Sequence, residues 1–168
     1  SELLDMRLIC RYQTNIPEEF LESNKHRLIW DRISESIKLS EKFLIKNWEH
    51  ICWGLASEFQ VLSEKFIVEN HSIIFFNKIG KTAPYSSEFL IQYQRLLDWK
   101  VICQYQDLDI KVLESCKNRL KWSEVSLYQK MSPDFIKDNS EKIHFDKLSR
   151  NKQANLTNKQ KTVLKVLF

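Results

Sequence analysis

The stretch WSEVSLYQKMSPDFIKDNSEKI, residues 122–143, decides the fold. Trp122 and Val125 stand three positions apart, which puts both on one face of a helix. Ser132 then precedes a second amphipathic run, and a serine oxygen there accepts from free backbone N–H groups at a helix start. Met131 before that cap and Ile136 after it match a hydrophobic staple. Pro133 suits the first helical position, where its missing N–H costs nothing. Asn139 suits a left-handed residue closing the helix. The stretch predicts a helix of about eight residues, a tight turn, a second helix of about seven and a short return.

Moving outward, the pattern recurs every 23 residues. Trp30, Trp53, Phe76, Trp99, Trp122 and Phe145 share one column. Three residues on come Ile33, Ala56, Ile79, Ile102, Val125 and Leu148, and four on come the small residues Ser34, Ser57, Gly80, Cys103, Ser126 and Ser149. The cap column holds Ser40, Ser63, Ser86, Asp109 and Ser132, and Phe43, Phe66, Phe89, Val112 and Phe135 follow three after it. Asn47 and Asn70 match Asn139, and Glu41, Glu64 and Glu88 follow the caps as the helix dipole favours. An earlier copy, Met6 to Gln13, matches Trp99 to Gln106.

Isolated helices this short are unstable in water, so each unit must bury its rings against its neighbours. Stacking supplies that burial. The expected fold is all-α: a right-handed-type α-solenoid of about seven 23-residue helix–turn–helix repeats. It is expected to form a single domain over residues 1–168, with repeats starting near 6, 30, 53, 76, 99 and 122 and an atypical cap over 145–168. Its expected core is the lead aromatic column with Phe43, Phe66, Phe89 and Phe135, and the small column lets helices approach closely. Residues 76–98 depart, with Pro84 and Tyr85 before Ser86 and Tyr93 in the asparagine column, a change expected to touch the surface more than the fold. Thr157 to Gln160 reads as a capping box, with Val163, Leu164, Leu167 and Phe168 as the buried face of a last helix.

Composition agrees. With 2 Gly and 3 Pro in 168 residues, the turns of an all-β protein are missing, and Gly54 and Gly80 stand too far apart for a phosphate loop. No apolar run nears the roughly 18 residues of a membrane span, and no secretion signal is expected. Residues 142–168 carry seven basic side chains against Asp146, whereas the other residues carry 19 basic and 21 acidic ones. Cys10, Cys52, Cys103 and Cys116 lack zinc-site spacing and read as small half-buried residues of a reducing compartment.

No nucleophile–base pair or convergent carboxylates stand out, so no enzyme activity, cofactor or metal is expected. The recurrent serines read as caps, not nucleophiles. Gln13, Gln60, Gln106 and Gln129 recur at the end of the first helix, placed to bond a turn backbone. Their neighbours Tyr12, Phe59, Tyr105 and Tyr128 form either packing or a semi-exposed stripe able to anchor a partner or stack bases. Trp48, outside the lead column, is the best single candidate for an exposed contact. Lys152, Lys159, Lys161 and Lys165 are the candidates for contact with nucleic acid or an acidic protein.

The unit W-x₂-I-S-x₂-Q-x-L-S-x₂-F-I-x₂-N-x₃-I, best carried by Trp122 to Ile143, resembles short helical repeats in uncharacterised proteins of bacteriophages and large DNA viruses. That resemblance implies a virus-encoded binding protein acting in the cytoplasm of an infected cell on a host protein complex, such as a defence nuclease. The expected function is therefore non-catalytic protein binding. The alternative is a helical repeat that binds RNA or DNA through the basic C-terminal segment and the aromatic stripe.

Overall fold

A computed structural model describes residues 15–154, 156, 157 and 160, and over them the chain is helical with no strand. Ser40, Ser63 and Ser132 each accept the backbone N–H three residues on at 3.1 Å, so the cap column starts the second helices. The chain divides into two compact units, Ser1–Ala83 and Pro84–Phe168. The first holds α1 (Glu18–Ser23), a 3₁₀ turn (Lys25–Arg27), α2 (Trp30–Ser36), α3 (Glu41–Lys46), α4 (Trp53–Phe59) and α5 (Glu64–Glu69). The second holds α6 (Ser87–Gln92), α7 (Trp99–Tyr105), α8 (Ile110–Ser115), α9 (Trp122–Tyr128), α10 (Pro133–Asp138) and α11 (Phe145–Leu148). No helix among the described residues is long and apolar enough to cross a membrane.

Like helices pack on like. In the first unit α2 lies against α4; in the second, α7 lies against α9, α9 against α11, and α6 against α8. Ile33, Ala56, Ile79, Ile102, Val125 and Leu148 are buried, as are Leu44, Ile67, Leu90, Leu113 and Ile136. Phe43, Phe66, Phe89 and Phe135 are buried too. The lead column divides: Phe76 and Trp99 are buried, whereas Trp30, Trp53, Trp122 and Phe145 are half-buried. Trp30, Trp53 and Trp122 stack on Phe43, Phe66 and Phe135 at centroid distances of 6.4, 6.4 and 6.0 Å. The indole N–H of Trp30, Trp53 and Trp99 donates to the carbonyl five residues earlier, tying each return loop to the helix it feeds.

Polar side chains join one repeat to the next. The Gln60 amide donates to the carbonyls of Ser34 (2.8 Å) and Ile37 (2.7 Å) and accepts from the N–H of Leu39 (3.0 Å). Gln129 does the same with Cys103, Gln106 and Leu108 at 2.7, 2.7 and 2.9 Å. These are backbone groups at a helix end, which need partners from outside the helix. Asn151 closes the series with a shorter amide, donating to Ser126 and Gln129 carbonyls. In the small column, the hydroxyls of Ser34, Ser57 and Ser126 each accept a backbone N–H 18 residues on, from Cys52, Phe75 and His144, at 3.0 Å. Glu18 and Glu41 accept the N–H of Ser40 and Ser63, each at 2.6 Å.

Three expectations are corrected. Asn47, Asn70 and Asn139 are not left-handed; their φ values are −109°, −115° and −121°. The chain keeps winding, with His50 and Ile51 donating to Asn47 O, and each asparagine side chain caps the carbonyl four residues back. The helix expected from Phe76 is absent: residues 76–83 are turn and bend, and the unit keeps only its second helix, α6. Gly80, at φ 113°, ends any helical path there, and Pro84 drives Ala83 away from helical geometry. Phe76 and Ile79 remain buried, so the core column survives without its helix. Finally, Cys103 and Cys116 are buried and only Cys52 is half-buried; Cys10 lies outside the described residues. The N-terminal repeat copy and the apolar face at Val163 to Phe168 also lie outside the described residues.

Candidate protein-binding surface

The second helices bury two adjacent residues and then meet a third. Phe43-Leu44 is followed by Ile45, Phe66-Ile67 by Val68 and Phe89-Leu90 by Ile91, but Val112-Leu113 by Glu114 and Phe135-Ile136 by Lys137. Successive helical residues turn by about 100°, so a third apolar residue leaves the buried face. Ile45 and Val68 are accordingly 41% and 40% exposed. Both lie in the first unit, on α3 and α5, whose N-terminal ends are joined by the Glu41–Ser63 hydrogen bond. Trp48, one turn beyond Ile45, is 53% exposed; its carbonyl takes the Trp53 indole N–H. The packing thus uses the backbone of Trp48 and leaves its ring in solvent.

The other sequence-derived candidates are dispersed. Phe59 is exposed at the end of α4, with the Lys81 ammonium 5.6 Å from its ring centroid. Lys81 also meets Glu58 at 2.5 Å. Tyr105 ends α7 at 51% exposure, whereas Tyr128, in the same position on α9, is half-buried. Lys152 is exposed. Tyr12, Lys159, Lys161 and Lys165 lie outside the described residues. Periodicity follows the buried columns and does not single out Ile45 and Val68; the signal for them in the sequence is three consecutive apolar residues on a short helix.

Between α1 and α3 lies an open groove of about 420 Å³, flanked by Glu18, Glu19, Glu22, Lys42 and Lys46 around the Phe43 ring. Two of its acids already have partners: Glu18 holds the Ser40 backbone and hydroxyl, and Glu22 meets Lys46 at 3.1 Å. Hydrogen bonds from Lys46 and then Asn47 hold the Glu22 carboxyl below its ordinary range. Among the described residues, no group of three or more His, Cys, Asp or Glu is placed to hold a metal ion. Comparison with family models, with curated proteins and with solved structures finds no match for this chain.

Proposed function

We propose that the chain is a non-catalytic helical-repeat protein, a solenoid of stacked 23-residue units that binds another protein. One observation carries this reading: Ile45, Trp48 and Val68 stand exposed on second helices whose buried faces are already filled by Phe43, Leu44, Phe66 and Ile67. Each leaves 40% or more of its surface in solvent, and a Trp with an aliphatic neighbour, once a partner desolvates it, is the composition of an interface hot spot. The same turn carries Glu114 and Lys137 elsewhere, so the repeat tolerates charge there. The likeness to phage and viral repeats supports a virus-encoded protein that engages a host complex, such as a defence nuclease. The free Cys52, Cys103 and Cys116 support residence in a reducing compartment such as the cytoplasm.

The test is co-purification from host lysate with mass-spectrometric identification, then reconstitution with the purified partner. The triple variant Ile45→Ser, Trp48→Ala, Val68→Ser is expected to keep its helix content and weaken the complex at least about 30-fold. Undiminished affinity in that variant, or no partner above background, overturns the reading. Salt-sensitive oligonucleotide binding through Lys152, Lys159, Lys161 and Lys165 would favour the nucleic-acid alternative instead.

A further inference from the structure

In the second unit, three return loops, residues 93–98, 116–121 and 139–144, lead into α7, α9 and α11. Lys121 N–H bonds to the Cys103 thiol, and His144 N–H donates to Ser126 Oγ at 3.0 Å, so the later two loops are each seated on the preceding first helix. With α7 against α9 and α9 against α11, the loops follow one another along one edge. Arg95, Arg119, Lys121 and Lys142 are exposed on them. The Lys142 ammonium lies 5.4 Å from the ring centroid of Trp122, the residue that follows the second loop, so the third loop reaches the start of α9.

The repeat does not require this charge. Two matching loops of the first unit, residues 47–52 and 70–75, contain no lysine or arginine, whereas the earlier one, residues 24–29, carries Lys25 and Arg27. The edge is not uniformly basic either. Leu96, at the repeat position of Arg119 and Lys142, is 53% exposed, and the exposed Asp98 and Glu141 interrupt the cations. A phosphate backbone would meet two carboxylates there and offer nothing to Leu96. A carboxylate-bearing protein segment meets the same two acids, but it complements the cations and, with an apolar side chain, Leu96 as well.

We propose that this edge docks an acidic protein segment, with its carboxylates on Arg119, Lys121 and Lys142 and an apolar side chain on Leu96. The inference rests on the protein-binding reading above and names the chemistry of one partner surface. The experiment is fluorescence anisotropy on the full chain, using a labelled glutamate-rich peptide with a central leucine and single- and double-stranded oligonucleotides of similar length. The peptide is expected to bind, more weakly as salt rises, and to lose at least about tenfold in affinity with Arg119→Glu plus Lys142→Glu. Leu96→Ser is expected to weaken the peptide several-fold and leave any oligonucleotide signal unchanged. Circular dichroism checks each fold, and Arg119→Gln plus Lys142→Gln replaces the reversal if that variant unfolds. No peptide binding, peptide binding indifferent to these changes, or tighter binding of an oligonucleotide overturns the proposal. A natural partner that still binds through Ile45, Trp48 and Val68 after charge reversal would remove this edge and leave the protein-binding reading intact.

Discussion

Replacing Gln129 by Met tests the clamp that joins repeats. The two side chains have similar length, and the site is 2% exposed. Methionine neither donates nor accepts at that point, so the carbonyls of Cys103 and Gln106 and the N–H of Leu108 each lose a bond of 2.7 to 2.9 Å. A buried backbone group left without its partner costs about 1–3 kcal/mol, and three of them give roughly 3–9. The more apolar side chain and local relaxation return about 1–3 kcal/mol, which leaves a loss of roughly 2–6. Gln129→Glu sharpens the test. Its carboxylate still accepts from Leu108 but faces two carbonyl oxygens, so its folded pKa must lie above the unfolded carboxyl value. A raised folded pKa means that the native state holds the proton more tightly. The variant's deficit should therefore be smallest in acid and grow as pH rises through that pKa. Urea unfolding followed by circular dichroism, with m unchanged, measures both. A Met variant within about 1 kcal/mol of wild type, or a Glu variant whose deficit ignores pH, would refute the clamp.

The two glycines should respond to alanine with opposite signs. Gly80→Ala forces a side chain into φ 113° and should cost about 1–3 kcal/mol, whereas Gly54→Ala, inside α4 with only Lys78 Nζ at 3.6 Å, should gain about 0.5–1. Thermal melts of the two variants check this; a neutral Gly80→Ala would contradict the turn geometry. Burial pushes the Cys103 thiol up to about 12, so native protein at mildly alkaline pH should resist alkylation at Cys103, as mass-mapped labelling against Cys52 would show. The raised folded value also means that stability from this thiol is complete below the unfolded pKa and drains away as pH climbs towards 12; Cys103→Ser should flatten that alkaline loss.

Much of the local structure could be read from the columns because helix caps and burial act over a few residues. Ser40, Ser63 and Ser132 cap as their spacing implies, and Leu44, Ile67 and Ile136 are buried beneath the caps. What escaped depended on the neighbouring repeat. Ser34, Ser57 and Ser126 looked merely small, yet their hydroxyls serve an N–H 18 residues away. Glu41 looked like a dipole partner, yet it takes the backbone N–H of the next cap, as Glu18 does. The asparagines were misread because a left-handed closure assumes that the chain reverses at once, whereas here it winds on to bury Ile51, Ile74 and Ile143. At residues 76–83 the shared apolar column outweighed Gly80 in the sequence reading, although one backbone angle decides whether a helix can form.

The division of labour among columns bears on function. A helix of six or seven residues leaves most of its terminal N–H and C=O groups without internal partners. Here a few positions meet that demand: the cap serine, the small hydroxyl, the asparagine and the glutamine. Each serves backbone atoms, which every residue possesses, so the contacts place no condition on the side chains between them. The third residue after each cap pair can therefore be Ile45, Val68, Glu114 or Lys137, and the return loops can carry Trp48 in one unit and Arg119 in the other. Helices joined through backbone groups leave their outer positions free to vary. That freedom makes an exposed tryptophan in one loop and a cluster of cations in another the places to look for a partner.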